Sequence, residues 1–587
     1  MDYKQDAKDF CENEKQFHLG VIPTEQSNPI TKNLSAIISR DTAEGVKCIL
    51  DADVNIGPVA KKAFDSEEFK SLVNDIVRCM DERKTVLFSS VGASGRMAIQ
   101  LDATWRRYFL ELTQVLPQYS EKFIQLMKTT NSFTTGGDRA LVQAVENFED
   151  YMTFGARQIQ EAGVGEGDVV IALAECGLSA SINGSAIEAD KQGCRTYYLF
   201  CNPKEILSKH LERCRKVFER ENIIFMPLYV GNMAVSGSTR MQVTTVELLV
   251  AGAALEMAAD IWLKKNLTAE EYSCLGTVSL TGDEYASEFE RLSNDLRSGD
   301  ALKGLARAVE LEADTYNNNG LITYTTHNYL LDIMTDTTER QPTFTLPPFR
   351  KKGEEGPLSW AYVKDPLYPG DVAWKQLFLR PVKGLDWTVE DYIEMNASQS
   401  IIDNPPKVGS EEVFKYDIGN SSDPARWEKR PAGLVLVDIN GSACDKAVSW
   451  FNKETPNFDF ACAIRLGEIP KGSIAEKEIH VPVKLKKSSM NLMTHVMVKL
   501  AFNVLSTATM AKMGRVWGNW MIQVLPTNKK LVDRSTRIIA NLMDIPYEKA
   551  CEEFYKSVSL RQKGDEYRES FVVETLKRLG FNPEVER

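Results

Sequence analysis

The chain has 587 residues, a formal net charge of -12 and 26% charged residues. That length accommodates two or three domains, and the acidic balance argues against general nucleic-acid binding. The opening residues, MDYKQDAKDF, are polar rather than leader-like, and no apolar run approaches the ~20 residues of a membrane-spanning helix. A cytoplasmic protein without nucleic-acid or membrane partners is expected. Eleven cysteines show no CxxC pair, and five histidines show no ligand spacing, so reduced thiols and neither metal nor cofactor are expected.

Residues 1–44 read as an N-terminal arm in which PTEQSNP (Pro23 to Pro29) is extended or turning, because residues before proline avoid the α region. A first α/β domain is expected over 45–270. Its opening stretch, TVLFSSVGASGRMAIQLDATWRRYF from Thr85, is an apolar run, a small-residue turn and a helical pattern. Strand, glycine turn and helix can aim backbone N–H groups at an anion, with Ser94 as the helix cap beside Gly92, Ala93 and Gly95. The same pattern also serves an ordinary α/β crossover, and periodicity alone does not separate the two. Gly136 and Gly137 then precede a predicted helix with Leu141, Val145 and Phe148 on one stripe. A strand over 168–174 meets the turn ECGLSAS, which holds Glu175, Cys176, Gly177 and Ser179. RTYYLFCN and NIIFMPLY are further strands, and GSTRMQ opens a long helix.

A second α/β domain is expected over 300–540. GLITYTT, AGLVLVDI, FACAIRL and KEIHVPV read as its strands, and a long helix is predicted from Met490 to Met513. An irregular proline- and aromatic-rich insert occupies about 345–430, and an insert of that length is usually a functional loop, a partner surface or an embellishment. Residues 541–587 read as a helical cap. Strands alternating with helices predict α/β architecture: two doubly wound parallel sheets in tandem, sharing a crevice.

GASGRM, GGDR…VENFED, GLSAS, SGSTRM and KLAFNVLSTATMAKMGRVWGNWM, in this order, resemble the sugar isomerase (SIS) domain family. The resemblance is to the branch holding the N-acetylmuramic acid 6-phosphate etherases and the glucokinase regulatory protein. PTEQSNP and PTNKKLVDRSTRII are similar to that branch too, whereas the 345–430 insert is not. Length and two α/β rounds match the tandem form of the regulatory protein.

The resemblance implies a site assembled from both halves. The branch's D-x-x-E glutamate is lost from DATWRRYF but present as Glu339 in DTTERQPTF. Its other glutamate is supplied by Glu149 in the first half. The lysine following its SSRM motif is Leu248 in the first half and Lys499 in the second. Ser94, Ser179, Ser236 and Ser238 fall in the small-residue loops. The implied composite site therefore holds a phosphate on the turn amides and Ser94, with Lys499 as counter-charge. Glu149 and Glu339 bind sugar hydroxyls or act as an acid/base pair. In the etherases such glutamates are implied to remove the proton beside the open-chain aldehyde and assist lactate departure. Ala93 replaces a threonine, Glu175 a serine and Gln242 a lysine, each altering the cradle. Three readings follow: a sugar-phosphate or amino-sugar-phosphate sensor acting on a partner protein such as a sugar kinase, a carbon–oxygen lyase, or a scaffold with a decayed pocket.

Overall fold

The computed structural model describes residues 2–145, 147–428, 431–526, 528–561 and 570–581. Five strands form a first sheet: β1 (Val86–Ser90), β2 (Thr130–Thr134), β3 (Val169–Leu173), β4 (Arg195–Phe200) and β5 (Ile224–Pro227). Every pairing is parallel and the order is β2-β1-β3-β4-β5. The second sheet contains β6 (Leu321–Thr325), β7 (Ala361–Lys364), β8 (Ala432–Ile439), β9 (Phe460–Gly467) and β10 (Glu478–Pro482). It is also all parallel, and read from β7 its order β7-β6-β8-β9-β10 repeats that of the first. β1, β3 and β8 are buried along their whole length, as sheets covered by helices on both faces require.

The helices that matter to the site are α1 (Tyr3–Asn13), α2 (Gly92–Val115), α3 (Met152–Ala162), α4 (Ala180–Lys191), α5 (Gln242–Asn266), α6 (Leu330–Phe344), α7 (Leu492–Lys512), α8 (Lys529–Met543) and α9 (Tyr547–Leu560). α5 and α7 are mostly apolar all round and buried, and they pack against each other between the sheets. One continuous core runs from Val86 and Leu249 to Ile322, Val496 and Ile539, so the two sheets share an interior. Equivalent buried pairs mark both halves. Arg106 Nε donates to Asp102 at 2.8 Å on α2, and Arg340 Nε donates to Asp336 at 2.8 Å on α6. α1 packs on α9, which joins the start of the chain to the helices near its end.

Several sequence expectations are corrected. No long helix follows Gly136 and Gly137: residues 138–141 form a single 3-10 turn, Phe148–Asp150 another, and the helix begins only at Met152. Leu141 and Phe148 are buried, yet Gly137 and Asn147 take left-handed conformations that interrupt any helix. The polar stretch TNSFT is the strand β2, and the insert contributes β7 and several short helices. The arm is helical over Tyr3–Asn13 and turns at Pro23–Glu25. Among the described residues, no helix is long and apolar enough to cross a membrane.

Candidate functional site

In doubly wound sheets a crevice opens beyond the strand ends where the order reverses, here between β1 and β3. A cavity of about 160 Å³ lies there, walled by Gly92, Ala93 and Arg96 after β1 and by Glu175 and Cys176 after β3. Ser238, Thr239 and Arg240 wall it from the loop before α5, and Glu149 from the 3-10 turn before α3. Three distant segments complete it: Glu25 of the arm, Glu339 of α6, and Asn528, Lys530 and Arg534 at the start of α8. The two glutamates singled out in the sequence therefore share one cavity, although they belong to different halves.

Four carboxylates (Glu25, Glu149, Glu175 and Glu339) face four cations (Arg96, Arg240, Lys530 and Arg534). Lys530 Nζ lies 3.0 Å from Glu149 Oε1, and Asn528 Nδ2 donates to the same oxygen at 3.4 Å. Burial raises the Glu149 carboxyl, but Lys530 outweighs it and holds the group below the usual carboxylate range. Lys530 is likewise desolvated, yet Glu149 keeps its ammonium above the usual lysine range. Arg96 Nη1 pairs with Glu339 and donates to Gly92 O at 3.0 Å, while its Nε donates to Thr338 Oγ1 at 3.0 Å. Arg240 Nη1 pairs with Asp336 at 2.9 Å, and its Nη2 donates to Ser506 and Thr507. One buried donor on each arginine, Arg96 Nη2 and Arg240 Nε, has no acceptor among the described residues. Both arginines line the cavity, and with Lys530 and Arg534 they give it four cations that an acceptor-rich ligand can meet.

Glu175 sits in the left-handed region at φ 56°, which turns its side chain into the cavity, where Thr239 Oγ1 donates to it. Burial pushes its carboxyl up to about 7. Glu25 is desolvated too, but Arg534 (2.5 Å) and Arg537 (2.8 Å) pull its carboxyl down to about 2.

The remaining sequence candidates do other work. Ser94 neither caps α2, which begins at Gly92, nor reaches the cavity: its hydroxyl donates to Glu247 of α5. Glu247 Oε1 also accepts the Glu175 N–H at 2.9 Å. A protein carboxyl thus takes the two donors expected for a phosphate, and burial pushes that carboxyl up to about 8. Lys499 is also displaced from its expected role. It lies outside the cavity wall, donating to Arg240 O at 2.9 Å and Asn503 Oδ1 at 2.7 Å, and burial pulls its ammonium down to about 7. Gly95 allows close approach of α2 to Thr134, and Gly177 lies against Leu207. Ser179 precedes α4 without a side-chain capping bond, and Ser236 Oγ donates to Glu25 O at 2.8 Å. Of the loop serines, Ser238 lines the cavity.

Arg96, Arg240, Lys530, Arg534 and Glu25 were not singled out from the sequence. All five lie inside stretches that carried the resemblance: GASGRM, SGSTRM, PTNKKLVDRSTRII and PTEQSNP. The signal was present, but distance along the chain hid the convergence.

Residues 68–189 match the family described as the glucokinase regulatory protein N-terminal SIS domain. The N-acetylmuramic acid 6-phosphate etherase of Pseudothermotoga lettingae is 28% identical over 236 residues, 40% of this chain and 68% of the relative. The N-acetylmuramic acid 6-phosphate etherase 1 of Bacillus licheniformis is 24% identical over 233 residues, 40% of this chain and 67% of the relative. Among solved structures, the C-terminal domain of glucosamine-fructose-6-phosphate aminotransferase from Francisella tularensis is similar at a TM-score of 0.44 and 10% identity. That likeness covers 79% of this chain and 94% of the other. The fold is α/β with two parallel five-stranded sheets, and the chain is a SIS-domain protein. Within that class it is related to the glucokinase regulatory protein and the N-acetylmuramic acid 6-phosphate etherases.

Proposed function

We propose that the cavity binds a phosphorylated sugar or amino sugar and that the protein is a sensor of that ligand. The observation that carries the reading is the convergence of four cations, Arg96, Arg240, Lys530 and Arg534, on one cavity. A phosphate ester supplies several strong acceptors and the negative charge to match. The site residues of the proposal are Lys530, Arg96, Arg240 and Arg534 for the anion, with Glu149, Glu175 and Glu339 for hydroxyl or amide groups. Sensing is favoured over turnover because Glu149 and Glu339 are each held in an ion pair, with Lys530 and Arg96. A ligand seated there touches the arm, both halves and α8 at once, so its presence is transmissible to a partner protein.

A second reading, a carbon–oxygen lyase acting on a 3-ether sugar phosphate, draws on Glu175. Its carboxyl titrates near 7, where a general acid or base is most effective. Two assays separate the readings. In a thermal-shift screen of hexose and amino-sugar phosphates, a sensor gains Tm with one or more of them, because a ligand bound only by the folded state stabilises it. Incubation with N-acetylmuramic acid 6-phosphate yields no lactate from a sensor. Sustained lactate release would establish the lyase instead, and the absence of any Tm shift across the screen would remove both.

A further inference from the structure

The insert carries a second concave site, remote in sequence from the cavity above. A pocket of about 240 Å³ opens between the basic run Arg350, Lys351, Lys352 and the loop that ends in Arg426. Arg426 is almost wholly buried. Its guanidinium donates to Ser359 O at 2.6 Å, Ile322 O at 2.8 Å and Thr323 Oγ1 at 3.0 Å, and it lies over the Tyr362 ring at 5.3 Å. These acceptors are all neutral, and burial draws the arginine down to about 10. The Asp423 carboxylate of the same pocket attracts it through space but does not offset its burial, and an anion entering the pocket reduces that cost further.

Two further observations point the same way. Ser359 is 5% exposed and lines the pocket, and its hydroxyl has no partner among the described residues. Two carboxylates, Asp417 and Asp423, also line the pocket, but Asp417 is engaged by Gly419 N at 3.1 Å and by the Ser421 hydroxyl. Lys351 is bound to Glu412 at 2.8 Å, which leaves Arg350, Lys352 and Arg426 against these two acids. The charge left over is positive.

We propose that this pocket binds the phosphate of a small phosphate monoester, with Arg350 and Lys352 at the rim and the Ser359 hydroxyl within. The insert would then supply a second anion site to the chain, independent of the cavity between the halves. The test uses the full chain and phosphorus-31 NMR titrations with inorganic phosphate and glycerol 3-phosphate. In Lys530→Ala, which weakens the first cavity, a saturable phosphate site is expected to remain. Adding Arg350→Ala and Lys352→Ala is expected to weaken that residual binding at least tenfold with Tm unchanged, since both side chains lie at the rim. Ser359→Ala, which keeps the rim charge, is expected to weaken it several-fold. Loss of all saturable binding in Lys530→Ala would overturn the proposal, as would residual binding indifferent to the rim changes. Binding of a phosphoserine peptide without binding of glycerol 3-phosphate would also overturn it. The first cavity is judged separately, by the sugar-phosphate Tm shift of the Arg350→Ala, Lys352→Ala variant.

Discussion

At neutral pH the charge of the cavity turns on Glu175. Its carboxyl is raised by burial to about 7, so the folded protein holds a proton that the unfolded chain releases in the ordinary carboxylate range. The sign follows from this. From the ordinary carboxylate range up to about 7 only the folded state holds the proton, so stability falls over that window and levels off above it. A phosphate dianion bound in the same cavity raises the Glu175 carboxyl further through space, so ligand binding takes up a proton. Between pH 7 and 9, where a phosphate ester is already a dianion, affinity is expected to fall by up to about tenfold per pH unit. Glu175→Gln is expected to flatten that slope, and calorimetry in buffers of different ionisation enthalpy reads the proton directly. A wild-type slope equal to that of the variant would show that Glu175 does not face the ligand. The two lysines make a second contrast. Lys530 is at the cavity, so Lys530→Ala is expected to weaken phosphate-ester binding by about 1.5–3 kcal/mol, the size of a lost charge-assisted hydrogen bond. Lys499 is not, and its Nζ satisfies carbonyls at the loop before α5. Lys499→Met is expected to lower stability by about 1–3 kcal/mol in urea denaturation, while changing affinity less than Lys530→Ala does.

At the scale of elements, the turns that present Glu149 and Cys176 are held by one close crossing. α3 and α4 meet through Gly155 and Gly184. A Cβ on Gly155 would collide with Ser181 O, and one on Gly184 with Met152 O. Backbone cannot move aside as a side chain can, so Gly184→Ala is expected to cost at least the ~1–3 kcal/mol typical of overpacking, measured by urea denaturation. A cost near zero would mean the two helices part easily. These same elements show what the sequence carried and what it did not. β1, β3, β4 and β8 were legible because buried parallel strands carry short continuous apolar runs. β2 was not, since TNSFT is polar and its Thr130 and Ser132 hydroxyls donate to the buried Asp102 rather than to water. β7 was lost in an insert whose prolines and aromatics mask any period. The segment 138–150 looked helical because its apolar residues are spaced by three and four, but left-handed Gly137 and Asn147 overrule the spacing. The site followed the same division. Glu149 and Glu339 could be named from their motifs, whereas the capture of Ser94 by Glu247 depends on a side chain 153 positions away. No local pattern contains that contact.

At the scale of the whole molecule, one core links both sheets and the cavity is closed by segments separated by about the full length of the chain. Glu25 precedes the first sheet, Glu339 belongs to the second half, and Arg534 follows both, bound to Glu25 through Nε at 3.0 Å. A fragment ending before residue 320 lacks Glu339, Lys530 and Arg534 and is expected to bind no sugar phosphate. The choice between sensor and lyase is then made by two isosteric changes in the intact chain. Glu149→Gln and Glu339→Gln each remove a charge while keeping shape, and an amide retains only part of a carboxylate's acceptor capacity. Each also releases a cation, Lys530 or Arg96, from its partner. If the ligand's hydroxyls rest on the carboxylates, as sensing requires, each change is expected to reduce the ligand-induced Tm shift, and no lactate appears with any form. If instead the glutamates act on the ligand, binding persists and lactate release falls by the ~10²–10⁴-fold typical of a lost general acid or base. A third pattern discriminates further. A released Lys530 or Arg96 is freer to meet a phosphate, so tighter binding in either variant would show that the ion pair competes with the ligand. That outcome would place the phosphate, rather than the sugar hydroxyls, beside the affected glutamate.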